Sequence, residues 1–411
     1  MSNGVRQNQA NMSATERTNF INAVLAIKAS GVYDTFVQAH ITAFSSDSTN
    51  GTRVAHRGPA FLPWHRQFLL DFDAALQAVD PSVNLPYWDW TVDGASSTTL
   101  WATDFLGGNG LSTDNWKVTT GPFASSTGNW PLTIRSDSNT YLRRQFSAGS
   151  LPSTATVNAN QAMTVYDTSP WSTASTGSFR NSLENIHNSV HVWVSATMAG
   201  TASPNDPAFF LHHCNIDRLW SMWQEAHPTA TYLPNTGSTA EVPDTNEAMV
   251  PYTTTPAQME YHALTYRYDN MPSALLTATV ASFSSQQSGN PATNAVDTNT
   301  ATMWHSMYSP TLVQPPHSVV LDLGSTKTVT ALTYLPRQSG SNGHIGQFEV
   351  NLSTDNINWT TGASGTWADN NTRKNVRVPA TQARYVRLRA LSEAGNRGPW
   401  ASAAQIAAIG F

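Results

Sequence analysis

The sequence predicts two domains: a mainly α, four-helix-bundle unit over residues 1–271 and an all-β sandwich over 272–411. Three observations carry this reading. Apolar residues recur at helical spacing as far as about residue 270, and at every second position after it. The charge balance changes at the same place, from 13 Lys/Arg against 21 Asp/Glu in the first 270 residues to 9 against 6 in the remainder. The 411 residues include 14 Trp and are only 12% charged, about half the usual ~25%, so the chain can bury large cores and is not disordered.

The elements follow in order. Ser13 and Glu16 form a capping box opening a helix with Phe20, Ala23, Val24 and Ile27 on one face. A second helix runs from Tyr33 to Phe44. A third runs from about Ala60 to Val79, where Asp80-Pro81 ends it; Pro59 and Pro63 suit a first turn and not an interior. Residues 91–178, rich in Gly, Ser, Thr, Asn and Trp, read as ordered loops over a core. Helical pattern returns at Phe179–Met198 and Pro207–Ala226, giving four main helices with a long central crossover, which suits a bundle. After about 272, Val319, Leu321 and Leu323 alternate with polar residues, as do Phe348, Val350 and Leu352, and Val386, Leu388 and Ala390. Turn clusters such as 339–343 separate these runs.

Several classes are excluded. No run approaches the ~18 apolar residues of a membrane span. No clustered basic face marks a nucleic-acid partner. The single cysteine, Cys214, rules out an intramolecular disulfide framework and a cysteine zinc cluster. Met1 to Ala10 is polar, without the basic-then-apolar pattern of a leader; secretion is the favoured expectation and the cytoplasm the alternative.

The histidines carry the chemistry. Seven lie on or beside the expected bundle helices: His40, His56, His65, His187, His191, His212 and His213. His187 and His191 are one turn apart on one helix face and can share a metal. The residue after His187 is Asn188, not the Glu of a zinc-protease motif. His56 comes from the loop before the third helix, so it can converge with His65, and His40 arrives from the neighbouring helix. His212 and His213 point about 100° apart, so one of them binds; Asp217 shares the face of His213 and is expected to orient it, leaving His212 a structural hydrogen bond nearby. Two sites of three imidazoles, without carboxylate ligands, favour copper over a di-iron centre, with zinc chemically open.

Three stretches carry a resemblance. His56-Arg57-Gly58-Pro59-Ala60-Phe61-Leu62-Pro63-Trp64-His65-Arg66 resembles the first copper motif of tyrosinases, and the run from Asn205 through His212-His213 to Asp217-Arg218-Leu219-Trp220 resembles the second. Leu85-Pro86-Tyr87-Trp88-Asp89-Trp90 is similar too, and the likeness covers about residues 3–270. It implies a binuclear type 3 copper centre, with His40, His56 and His65 on one copper and His187, His191 and His213 on the other. It implies O2 as co-substrate, ortho-hydroxylation of phenols and oxidation of o-diphenols to o-quinones. The Cys–His thioether of some relatives is absent, since Val54 and Ala55 precede His56. The resemblance also implies that Glu184 and Asn188 hold a water that deprotonates the phenol, a general-base role. Thr201, Ala202 and Ser203 are expected to line the pocket mouth. Some relatives need a helper protein for copper loading.

In the second half, residues 294–306 resemble the start of discoidin-type domains, and residues 335–346 and Ala383-Arg384-Tyr385-Val386-Arg387-Leu388 are similar to the N-terminal sugar-binding domain of galactose oxidases, the likeness covering about residues 276–411. That implies a jelly-roll sandwich and a galactose-like glycan ligand, with Trp304, His305, Arg337 and His344 as candidates. Asp297, Asn299 and Thr302 offer hard oxygen donors suited to a structural Ca2+ or Na+. Rival readings are a catechol or o-aminophenol oxidase without hydroxylation, a haemocyanin-like O2 carrier, and a copper-free glycan-binding module.

Overall fold

A computed structural model describes residues 4–49, 53–94, 98–237, 242–271 and 273–411. Its helical part contains α1 (Ala14–Ala29), α2 (Val32–Thr49), α3 (Phe61–Val79), α4 (Thr154–Gln161), α5 (Phe179–Val194), α6 (Ala208–Ala226) and the single turn α7 (Pro256–Met259). The capping box at α1 is formed: the Ser13 hydroxyl accepts from the Glu16 backbone, and the Glu16 carboxylate accepts from the Ser13 N–H. Pro63 falls in the first turn of α3, where its ring meets no preceding helical carbonyl.

Two expectations need correction. α5 stops at Val194 rather than Met198, because Ser195 and Ala196 both take positive φ and a 3-10 turn follows. The stretch 91–178 is not all loop: α4 lies within it, capped by Ser153, whose hydroxyl accepts from Thr156 N–H. Val157 is its one buried apolar residue, so it leaves almost no periodic signal.

The helices enclose one aromatic core. Phe72 and Phe210 stack at 3.5 Å between centroids, with Phe68 stacked on Phe210 at 5.8 Å and Phe36 edge-on to Phe68 at 5.5 Å. Rigid rings in these offset and edge arrangements fix α2, α3 and α6 against each other. β1 (Gly4–Arg6) pairs in parallel with β2 (Tyr266–Tyr268), so the two ends of the helical part are joined.

The second part contains β3 (Ala274–Leu275), β4 (Thr279–Phe283), β5 (Trp304–His305), β6 (His317–Leu335), β7 (Gln347–Ser353), β8 (Thr360–Thr366), β9 (Lys374–Ala390), β10 (Ser402–Ala403) and β11 (Gln405–Gly410). The main sheet runs β3-β11-β6-β9-β7-β8, with β4 also on β6, and every pair is antiparallel. Register breaks between Asp322 and Lys327, and between Val329 and Ala331, let the two long strands bend and the sheet fold over on itself. The alternating residues Val319, Leu321, Phe348, Val350, Leu352, Val386 and Leu388 all enter its core.

The two parts meet at the C-terminus of α6. Arg377 on β9 donates from Nη1 to the carbonyls of Gln224 and His227, at 2.9 and 3.3 Å. Tyr261 Oη donates to Thr330 O at 3.3 Å, and Ala263, Ala331 and Ile409 form a small shared apolar cluster. A cation on the last carbonyls of a helix opposes the negative end of its dipole. Charged hydrogen bonds of this kind contribute about 1.5–3 kcal/mol. Arg377→Ala should therefore speed amide exchange over Trp223–His227 by about tenfold or more, with Arg377→Lys in between, as read by hydrogen-exchange mass spectrometry.

Candidate binuclear metal centre

Four helices and one loop bring the histidines together. His40 comes from α2, His56 from the loop before α3, His65 from α3, His187 and His191 from α5, and His212 and His213 from α6. Two groups result, His40/His56/His65 and His187/His191/His212/His213, each with its nitrogens within 4.8 Å of one another. They are adjacent: the rings of His65 and His213 stack at 4.4 Å. Phe209 lies between them, 5.1 Å from His40 and 4.0 Å from His213.

Hydrogen bonds fix the ring tautomers. Nδ1 of His40 faces Thr201 O at 2.8 Å, Nδ1 of His65 faces Phe61 O at 2.9 Å, and Nδ1 of His191 faces Met198 O at 2.7 Å. Nδ1 of His56 faces Asp47 Oδ2 at 3.0 Å, and Nδ1 of His187 faces Asn188 Oδ1 at 3.0 Å. Oxygen acceptors require Nδ1–H donors in all five rings, so each Nε2 keeps its lone pair. Nε2 of His65 is buried without a hydrogen bond among the described residues. Nε2 of His213 lies 3.0 Å from Nε2 of His187 and 3.3 Å from Nε2 of His191. Nδ1 of His213 has no partner among the described residues, so either of its nitrogens can carry the proton; with that proton on Nδ1, three Nε2 lone pairs face one another, an arrangement suited to a shared cation.

His212 differs. The Trp90 indole N–H donates to its Nδ1 at 3.1 Å, so its proton sits on Nε2 and it has no lone pair left for a metal. Burial keeps the imidazoles neutral: it pushes His40 and His191 down to about 4, and His56, His65, His187 and His213 also lie well below the ordinary value. Protons therefore do not compete for the ligand nitrogens near neutral pH.

Several expected roles change. Asp217 does not touch His213. It accepts from Arg66 Nε at 2.6 Å, from Arg6 Nη1 at 3.3 Å, and from the hydroxyls of Tyr266 and Tyr268. One turn along a helix places two residues on a face, but the longer Asp217 contacts reach back to α3 and β1. Ala202 and Ser203 are buried, at 5% and 2% exposure, and only Thr201 of that trio is partly open. The open side is marked instead by Arg57 and Asn188, both exposed. Glu184 is buried and tied on both oxygens, by Arg57 N–H at 2.6 Å and by Arg180 Nη1 at 2.8 Å. Burial raises its carboxyl pKa, and Arg180 only partly opposes this. Asn188 spends its carbonyl on His187 and keeps its NH2 group.

Two residues were missed by sequence reasoning. Asp47 sits two helical turns after His40 and accepts from His56 Nδ1 and from Val54 N–H at 2.8 Å. That i+7 spacing was the available signal. Trp90 stands in the Pro-Tyr-Trp-Asp-Trp run, which was noted without a role; the structure also gives Asp89 one, accepting from Arg218 at 2.9 Å.

In the sandwich, Trp304 and His305 are core residues: the indole donates to Ser285 O at 2.9 Å, and His305 Nδ1 to Ser306 O at 2.7 Å. Arg337 is engaged with Ser339 O at 2.6 Å. His344 pairs through Nδ1 with Asp369 at 2.9 Å, while its Nε2 is buried without a partner among the described residues. Asp297 accepts from Asn299 N–H at 2.8 Å and from Thr302 Oγ1 at 2.6 Å, the hydrogen bonds of an Asx turn.

Comparison with known proteins now decides the family. A match to the family described as the common central domain of tyrosinase spans residues 30–226. Over 273 residues the chain is 51% identical to the tyrosinase of Streptomyces antibioticus and 50% identical to that of Streptomyces glaucescens. These alignments cover 64% of this chain, and 99% and 98% of those enzymes. The chain belongs to the tyrosinase family. A grixazone synthase of Streptomyces griseus is 42% identical over 304 residues, covering 64% of this chain and 99% of that enzyme. Members are copper-dependent monophenol monooxygenases and catechol oxidases, the family implies a binuclear copper centre, and the histidine clusters fit one. A tyrosinase-type copper oxidase is thus the supported activity, and the O2-carrier and non-hydroxylating readings are not favoured.

Residues 279–406 match the F5/8 type C domain, in keeping with the antiparallel sandwich. A family 32 carbohydrate-binding module of Clostridium perfringens NanJ, solved with galactose, aligns at 29% identity with a TM-score of 0.31, over 33% of this chain and 98% of that one.

Proposed function

We propose that this tyrosinase-family chain hydroxylates monophenols and oxidises the resulting diphenols, with His40, His56 and His65 holding one copper and His187, His191 and His213 the other. The carrying observation is the set of five Nδ1–H bonds to oxygen, which leaves Nε2 lone pairs converging from four elements. Bound there, the copper pair supplies reduction of O2 and removal of electrons from the phenol. The overall reaction balances as phenol plus O2 to o-quinone plus water, and as two catechols plus O2 to two o-quinones plus two waters. The protein's part is to bind, orient and deprotonate. Phe209 and the buried rings around it exclude water from beneath the site. Copper content with O2 uptake on tyramine and on a catechol tests the reading; two coppers and both substrates consumed is the expected result.

Glu184 is the proposed base, taking the phenol proton through a water held by the Asn188 NH2 group. Its raised carboxyl pKa supports this, because a stronger base accepts the proton more readily. Glu184→Gln should lower tyramine hydroxylation by about 100-fold while catechol oxidation stays within about threefold. Unchanged hydroxylation would remove Glu184 from the mechanism.

Three further parts of the proposal concern partners. A copper-loading helper is proposed, tested by comparing the copper content of chain made with and without a co-expressed candidate. A glycan ligand is proposed for the sandwich, with Arg337 and His344 as remaining candidates, tested by retention on galactose-bearing resin. A structural Ca2+ or Na+ at Asp297, Asn299 and Thr302 is tested by the change in melting temperature with chelator.

A further inference from the structure

Arg57, at the rim of the histidine site, has a backbone ill suited to its side chain. It takes φ +61°, which costs a residue other than glycine about 1 kcal/mol or more. Backbone preference alone would select Gly or Asn there. The turn is held by Arg57 N–H on Glu184 Oε1, a bond any non-proline residue would make. It sends the guanidinium outward: Arg57 is exposed, whereas residues 58–66 behind it are buried. The guanidinium lies over the Phe44 ring at 5.4 Å, and that ring packs 4.9 Å from His56.

The site's acidic groups are already engaged. Asp47 serves His56, Val54 and Ala55, and Glu184 serves Arg180 and the Arg57 backbone. Among the described residues no carboxylate pairs with the Arg57 side chain. On α5, Asn188, which touches His187, is exposed and uncharged. A strained residue whose charge rests on an aromatic ring and meets no carboxylate of its own fold is open to an anion from outside it.

We propose that Arg57 is a specificity residue that favours phenols carrying a carboxylate, by pairing with that group while the ring lies against the histidines. The inference rests on the phenol-oxidase reading above and adds the substrate class. A rim ion pair of this exposure contributes up to about 1 kcal/mol, or about fivefold in affinity.

The test uses copper-loaded full-length protein and three probes: 3-(4-hydroxyphenyl)propionate, tyramine and 4-ethylphenol. Arg57→Gln should lower kcat/KM for the propionate about fivefold relative to 4-ethylphenol, through KM, and should leave or improve the tyramine ratio. Arg57→Lys should keep most of the preference. In the unaltered enzyme, raising salt from about 20 mM to about 500 mM should erode the propionate preference alone, because screening shortens from roughly 20 Å to roughly 4 Å. Equal losses on all three probes, or an unchanged propionate ratio in Arg57→Gln together with salt-insensitivity of the unaltered enzyme, would overturn the proposal. Failure of the unaltered enzyme to turn over 4-ethylphenol would instead overturn the underlying reading.

Discussion

Asp217→Asn should destabilise the helical part by about 3–5 kcal/mol while leaving the copper ligands chemically intact. Asp217 is 3% exposed and gathers four donors, two from guanidinium groups that are themselves almost fully buried. Removing its charge leaves Arg66 hydrogen-bonded to neutral groups only: Met259 O at 2.6 Å, Ser221 Oγ at 2.8 Å and Gln224 Oε1 at 3.2 Å. Arg6 keeps Asp73 at 2.6 Å, which limits the loss on that side. An unpaired buried charge is among the largest single-residue penalties in a folded protein. The pH dependence has a definite sign. Burial alone would push the Asp217 carboxyl up, but Arg66 and Arg6 outweigh it and hold it below the ordinary carboxylate value. A carboxyl depressed on folding stabilises above its unfolded pKa, and that stability is lost as pH falls through the folded value. Asp217→Asn should therefore be most harmful at neutral pH and less so in acid. Urea denaturation at several pH values checks both statements. If the protein stayed folded and lost one copper, Asp217 would be orienting His213 after all, and the contacts described above would not govern it.

The same residue shows what was legible in the sequence. Helical period, capping and proline placement located α1, α2, α3, α5 and α6, because each depends on residues within a few positions of one another. Strand alternation worked for β6, β7 and β9 for the same reason. The histidines were legible because convergence needs only the right helices and faces. Asp217 was misread because its partners lie 211, 151, 49 and 51 residues away along the chain, and no local pattern encodes such a contact. Asp47 and Trp90 were missed because each acts through one ring nitrogen of a histidine, a role that any acceptor or donor nearby could fill. The strain at Arg57 is likewise invisible in sequence, because a backbone angle leaves no mark in the residue that adopts it. Gly58 beside it is needed for space: a Cβ there would meet Arg53 O at 2.7 Å.

His213→Asn should reduce bound copper from two ions per chain toward one and abolish O2 uptake, whereas His212→Asn should keep both ions. The four imidazoles of the second cluster are near enough to bind as one group, so proximity does not choose among them. Tautomer does. Nδ1 of His212 accepts the Trp90 N–H, which places its proton on Nε2, while Nε2 of His213 lies between those of His187 and His191. A ligand must offer a lone pair: Nε2 of His212 carries the proton, whereas His213 has no partner on Nδ1 among the described residues and is free to hold its proton there and turn an Nε2 lone pair to the site, which is why the proposal assigns the copper to His213. Removing a group that merely supports a ligand costs about 10–100-fold in metal affinity, so removing the ligand should cost more. His212→Asn has a different cost, about 1–3 kcal/mol of stability, if the buried Trp90 indole loses its acceptor. Trp90→Phe separates the two effects. It frees Nδ1 of His212 without touching any ligand, so copper should stay at two per chain with its affinity undiminished. Metal analysis after dialysis, beside circular dichroism to confirm folding, reads all three variants. Loss of copper in His212→Asn with retention in His213→Asn would exchange the two assignments, and would require the Trp90 contact to be broken in the metal-loaded protein.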